Sequence, residues 1–210
     1  MTDTQSSYDR VAAEYTARLA DELSHKPFDR KMLDWLHEKA GAGLICDMGC
    51  GPGHIAAYLQ AQGAQACGID LSPGMIEQAK ARNPNISFTV DNMMTLATVF
   101  DASYSGIAAF YALIHLTREQ MPTAMRELWR VLKPGGVVLA TFHIGQETRH
   151  FDEFFGAQVN LDFIFFETHE IRAFLEGAGF RIEEAIERDP YPEIEVQTRR
   201  GYVFARKADS

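Results

Sequence analysis

The stretch LICDMGCGPG, residues 44–53, is an apolar run that closes on an acid and then places glycine at every second position. Five consecutive residues without a helical stripe, bounded by glycine, read as a buried strand, and the glycines that follow read as a tight turn into a helix beginning near His54. The same grammar recurs along the chain. Short apolar runs at 66–69, 86–90, 104–110 and 137–142 alternate with segments of helical spacing. Strands separated by helices imply βαβ units and a mostly parallel sheet, an α/β fold with helices on both faces.

Several boundaries are written in local chemistry. Ser72-Pro73 offers a capping hydroxyl ahead of a proline at the first helical position, with Met75, Ile76 and Ala79 behind it. Thr117 to Gln120 fits a capping box, and Lys133-Pro134-Gly135-Gly136 stops that helix and launches the next strand. Thr168 is a further candidate cap. Near the end, FRIEEAIER and VQTRRGYVFARK both read as strands, with only DPYPEIE between them. That linker is too short for a crossover helix, so the two pair as an antiparallel hairpin. Two regions stand outside the alternation. Residues 7–23 form an amphipathic helix with Tyr8, Val11, Tyr15 and Leu19 on one face, and residues 144–167 hold six of the chain's 14 phenylalanines.

Composition narrows the partner. With 210 residues, 46% hydrophobic and 23% charged, the chain has room for one full core. Its formal charge of −9 gives no general attraction to nucleic acid or anionic membrane, and no apolar run approaches the ~18 residues of a membrane span. The amino-terminal residues lack a basic and then apolar leader pattern, so the expected location is the cytoplasm. Cys46, Cys50 and Cys67 show no paired spacing, and the histidines follow no metal-ligand spacing, so no metal site is expected. A small molecule is the favoured partner.

In an open parallel sheet, ligands lie beyond the carboxyl ends of the strands. The spacing Asp47-x-Gly49-x-Gly51-x-Gly53 is neither the GxGxxG dinucleotide fingerprint nor a P-loop. A carboxylate at Asp47 disfavours a pyrophosphate and suits an ammonium group. Asp70 closes the second strand, where an acid accepts ribose hydroxyls, and Asp91-Asn92-Met93 closes the third with a carboxylate, an amide and a thioether for a flat ring.

Four segments in order, CDMGCGPG, GIDLSPGMIEQAK, VDNMM and ELWRVLKPGGVVLATFH, resemble the successive motifs of class I S-adenosylmethionine (SAM)-dependent methyltransferases, particularly the small-molecule group with quinone-biosynthesis-like members. FLEGAGFRI resembles the family's late helix-to-strand junction. The resemblance implies a single Rossmann-like methyltransferase domain over residues 1–210, with a seven-stranded sheet and one antiparallel strand. Residues 1–40 would be a helical lid and 144–167 an aromatic cap. It further implies SAM as cofactor, held by Asp47, Gly49 and Gly51 at its methionine part, Asp70 at the ribose, Leu71 at the adenine face, and Asp91, Asn92 and Met93 at the adenine edge, with Cys50 and Met75 as further cofactor-binding residues. Phe110 and Tyr111 would flank the reactive side. YDRVAAEY resembles the helix with which family members cover SAM, placing Tyr8 and Tyr15 on the cofactor.

The implied reaction is in-line methyl transfer to a small-molecule acceptor, by a monomer or homodimer. Such a transfer needs alignment above all, and where a base is required His115 and His143 are the first candidates and Tyr111 the next. AFYALIHL carries no Asn-Pro-Pro-Tyr motif of nucleic-acid amine methylation. A SAM-binding protein without catalysis and a nicotinamide-dependent dehydrogenase are the alternatives. The phenylalanine cluster also has an ordinary reading as core.

Overall fold

The computed structural model describes residues 3–209. Its central sheet has seven strands: β1 (Leu44–Met48), β2 (Gln65–Asp70), β3 (Ser87–Val90), β4 (Tyr104–Phe110), β5 (Leu132–His143), β8 (Phe180–Arg188) and β9 (Arg200–Lys207), in the order β3-β2-β1-β4-β5-β9-β8. The register is parallel except at β9, which runs antiparallel to both neighbours. The terminal hairpin is present as expected, with β9 slotted between β5 and β8. That slot places Arg200 opposite His143, at the edge where the parallel strands end.

Helices cover both faces. On one side α2 (Pro27–Ala40) and α3 (His54–Ala61) bury Met32, Leu33, Leu36, Ile55 and Leu59 against Ile45, Leu139 and Phe204. On the other, α5 (Met121–Val131) and α6 (Thr168–Gly177) bury Met125, Leu128, Ile171 and Leu175 against Met48, Ile107 and Val138. Helix α4 (Pro73–Arg82) packs Ile76 and Ala79 on Phe88 of β3 and Ala56 of α3.

Local starts differ from expectation where a better cap competes. Ser72 caps α4 as expected, its hydroxyl accepting from Met75 N–H at 3.0 Å. Helix α5 begins after the Thr117 box, where Pro122 suits the first turn, and only half of that box forms, Thr117 N–H donating to Gln120 Oε1 at 2.9 Å. Glu167 displaces Thr168 as the cap of α6, because Glu167 and Glu170 bond each other's main chain reciprocally. Lys133 to Gly136 lies within β5 as an irregularity in the β4 ladder.

The two outlying regions meet each other. The helix expected over 7–23 is α1 (Thr4–Leu19), followed by a short 3-10 turn, Glu22–His25. The aromatic segment is a separate antiparallel hairpin, β6 (Thr148–Phe154) and β7 (Ala157–Ile164). Its turn, Phe155-Gly156, has φ of 51° and 81°, the positive pair of a two-residue hairpin loop. Val11 and Ala12 of α1, Val159 and Leu161 of β7, and Met75 of α4 share one buried cluster, ringed by Tyr8, Tyr15, Phe151, Phe154 and Phe163. The expected lid over 1–40 therefore divides: α1 lies with the hairpin, whereas α2 belongs to the main core. Phe166 joins the main core too, fully buried. No helix among the described residues is long and apolar enough to cross a membrane.

Candidate functional site

The glycine turn at the end of β1 is held by the strand beside it, Gly49 and Cys50 N–H both donating to Ile69 C=O at 2.7 and 2.9 Å. Gly49 and Gly53 have internal reasons to be glycine: a Cβ on either meets Ala112 or Phe88 at 2.4 and 2.6 Å. Gly51 differs. Its φ is +50° and the nearest atom to an added Cβ is Tyr15 Cε1 at 3.9 Å, so its main chain faces a space roofed by α1.

Asp70 organises that space. Its two oxygens accept from Gly51 N–H and Ser72 N–H, both at 2.8 Å, which leaves each oxygen a further lone pair. Burial pushes its carboxyl above the ordinary range, while those main-chain donors pull it back. Met93 adds a thioether beside Gly49, and Leu71 is half-buried next to Asp70. An acid with spare acceptor capacity, an open main-chain cradle and flanking apolar groups fit a nucleoside.

Other expected contacts are used otherwise. Asp91 accepts from Asn92, Ala97 and Thr98 N–H and from Thr98 Oγ1, so its acceptor sites are consumed by its own loop and none remains for an exocyclic amine. Asn92 is exposed, its Oδ1 taking Met94 N–H at 2.9 Å. Cys50 points into the α3–α4 core, and Met75 lies beneath α1. Asp47 is 1% exposed and accepts from Ala56 N–H at 3.1 Å, bracing the first turn of α3 rather than standing at the rim. Burial raises its carboxyl to about 7. Phe110 packs in the α2–α3 core, edge-on to Tyr111 at 5.2 Å.

Helix α1 is bonded down on both flanks. Asp9 accepts from Ser72 Oγ and Gly74 N–H at 2.5 and 2.9 Å, and Ser7 Oγ accepts from Asn160 N–H at 2.9 Å. Tyr15 sits edge-on to Phe155 and to Tyr8, both at 5.9 Å. His115 joins the three parts. Its Nδ1 lies 3.2 Å from Asp162 C=O, which only accepts, so Nδ1 carries the proton and Nε2 takes the Tyr8 O–H at 2.8 Å. The lone pair that a base would use is already engaged. Burial lowers His115 to about 4.

His143 has the opposite tautomer. Arg200 donates to its Nδ1 at 2.7 Å, with Thr198 Oγ1 also at 2.7 Å, so Nδ1 is the acceptor and Nε2 carries N–H. Burial first, then Arg200, Lys26 and Arg149, lower it to about 3. The ring stacks on Phe165 at 5.0 Å and lies 5.3 Å from Tyr111. Tyr111 itself has a φ of +55°, donates its N–H to Thr141 Oγ1 at 2.9 Å and turns its phenol toward Tyr202, 3.4 Å away. Burial drives that phenol well above its usual range, so it holds its proton.

Both histidines fold neutral from an unfolded value near 6.5, so each contributes stability that is full above that value and is lost as pH falls through its folded value. Asp47, raised in the folded state, contributes in the opposite sense over the same span. A comparison therefore isolates the effect. His115→Gln, which keeps an acceptor for Tyr8, should lose less stability than the wild type between about pH 7.5 and pH 5, by on the order of 2 kcal/mol. Urea denaturation of both at the two pH values checks this, and equal losses would reject it.

A polar cluster gathers around Lys26, Arg188 and Arg200. Glu22 bonds His54 at 3.1 Å and Lys26 at 2.5 Å, and despite burial these two hold its carboxyl down to about 2. Glu195, from the loop between β8 and β9, faces Arg188, Arg200 and Lys26. Asp29, wholly buried, takes the phenol of Tyr202 at 2.5 Å and Arg188 Nη2 at 3.0 Å. His54 was visible only as a helix start, and Arg200 only as half of an Arg-Arg pair.

Residues 45–136 match the model of a methyltransferase domain. The malonyl-[acyl-carrier protein] O-methyltransferase of Salmonella typhimurium is 32% identical over 100 residues, 46% of this chain and 38% of that protein. The S-adenosyl-L-methionine-dependent Diels-Alderase iccD of Talaromyces variabilis is 32% identical over 120 residues, 54% of this chain and 40% of that protein. The chain thus spans less than half the length of these two relatives. Among solved structures, a chain in the complex of the Haloferax volcanii Trm112 methyltransferase activator with a methyltransferase superposes with a TM-score of 0.75, 17% identity and 99% coverage of both chains.

Proposed function

We propose that the chain is a class I SAM-dependent methyltransferase that binds SAM as its cofactor and moves the methyl group of SAM to a small-molecule acceptor. The observation that carries the cofactor reading is Asp70, which fastens the open Gly51 main chain while keeping lone pairs for two hydroxyls. SAM supplies a methyl group on positively charged sulfur, an electrophile that needs alignment more than activation.

The residues of this chain supply that alignment. Gly51 and Asp70 hold the nucleoside end, with Met93 and Leu71 beside it. Tyr8 and Tyr15, carried on α1, cover it, and the β6–β7 hairpin closes over α1 to exclude water. The acceptor lies beyond β4 and β5, against Tyr111, His143 and Phe165.

Titration calorimetry with SAM, its demethylated product and NAD tests the cofactor, and transfer of tritium-labelled methyl from SAM into a low-molecular-weight cell extract tests the reaction. Binding of SAM and its product together with label transfer is expected. Binding of NAD alone would overturn the reading. The Diels-Alderase relative favours one second reading, a SAM-binding protein that transfers no methyl group, and SAM binding without label transfer would support it.

A further inference from the structure

Resting on the proposed methyl transfer, we propose that the acceptor presents a carboxylate, received by the Nε2–H of His143, and that no general base takes part. Three features of the rim lead there.

The first is the direction of His143. Arg200 can only donate, so it fixes the imidazole lone pair at Nδ1 and leaves a proton on Nε2. Nε2 meets no partner among the described residues and is not one of their buried unpaired atoms, so it opens on accessible space at the end of β5. The second is the local field. Arg200, Lys26 and Arg149 all disfavour a positive imidazole, while each is itself paired to a carboxylate, Arg200 and Lys26 to Glu195 and Arg149 to Glu147. An accessible imidazole N–H polarised by a guanidinium donating to the other ring nitrogen is a donor for an anionic oxygen. Arg200 is 2% exposed and leaves its own Nε–H unpaired, while its Nη2 lies 3.5 Å from Glu195.

The third is the state of the three candidate bases. His115 gives its lone pair to Tyr8, His143 gives its lone pair to Arg200, and Tyr111 retains its phenol proton. None of the three can deprotonate an alcohol, a phenol or an ammonium group, each of which must shed a proton on methylation. A carboxylate arrives ionised. One of its oxygen lone pairs forms the O–CH3 bond, the methyl–sulfur bonding pair stays on sulfur, and the carboxylate and sulfonium charges cancel. The products are a neutral ester and a neutral thioether, and no proton is released. Strand spacing puts β5 about 10 Å from β1, with β4 between, so an acceptor held by His143 lies beside the cofactor cradle rather than in it.

Three readouts on the full chain test this. After transfer of tritiated methyl from SAM into the extract, the product is treated with alkali, which frees methanol from a methyl ester but not from N-methyl, C-methyl or aryl ether groups. Volatile label is expected. Label that stays behind overturns the carboxylate and leaves the transferase reading intact, and no transfer by a SAM-binding protein overturns both. In protein with nitrogen-15 imidazoles, saturated with the demethylated product, His143 should show the neutral Nε2–H tautomer at neutral pH. An Nδ1–H or charged ring overturns its role. Finally, His143→Ala should slow ester formation by about tenfold to a hundredfold, whereas His143→Gln, whose amide N–H replaces the donor, should stay within about fivefold of the wild type. Equal losses in the two variants indicate a base and overturn the proposal.

Discussion

Arg188→Met is expected to destabilise the fold by about 3–5 kcal/mol near neutral pH, because it strands buried carboxylates without their cation. The guanidinium donates to Tyr202 Oη at 2.8 Å, to Asp29 Oδ1 at 3.0 Å and to both oxygens of Glu195. The Asp29 and Glu195 side chains are 0% and 2% exposed, so water does not replace what is lost. Burial already pushes the Asp29 carboxyl up, opposed by Tyr202 and Arg188, and Glu195, despite burial, is held low chiefly by Arg188. Removing the cation raises both folded-state values. The variant then relieves its strain by taking up protons as pH falls, so its deficit relative to the wild type should shrink between about pH 7.5 and pH 5.5. Urea denaturation at both values measures this. A deficit below about 1 kcal/mol, the scale of an exposed pair, would show that water reaches the cluster.

Asp70→Ala should weaken SAM binding at least tenfold while the sheet stays folded. On the proposed reading, two charge-assisted hydrogen bonds from ribose hydroxyls, each on the order of 1.5–3 kcal/mol, disappear with the carboxylate. So does the tie on Gly51 N–H, the bond that holds the one turn residue facing open space. Asp70→Asn keeps one acceptor oxygen and should fall between the two. Calorimetry of variants shown to be folded by circular dichroism is the measurement. Unchanged affinity in Asp70→Ala would remove this residue from the cofactor's site and with it the reading of the second strand end.

The layers of this protein were legible because their signals are local. The apolar run 44–48 before the glycines, the Ser72-Pro73 start of α4 and the short linker between the last two strands each constrain the main chain within a few residues. They led to the mostly parallel sheet, the terminal antiparallel hairpin and the positions of Gly51 and Asp70 without any knowledge of distant contacts, whereas the count of seven strands came from the family resemblance. Asp91 shows the limit of such reading. Its place at a strand end was correctly anticipated, yet its carboxylate serves four donors of its own loop, and nothing in VDNMM says which way it turns.

What only the tertiary structure decided is the state of the titratable groups at the rim. His143 ends β5, and His115 ends the short 3-10 turn, Leu113–His115, that follows β4. They adopt opposite tautomers because one meets a carbonyl from β7 and the other a guanidinium from β9, brought there by chain 47 and 57 residues away. Periodicity and turn chemistry act between neighbours and so fix layers and turns. Proton placement depends on which donors and acceptors the packed chain brings within about 3 Å, and that is decided by the fold.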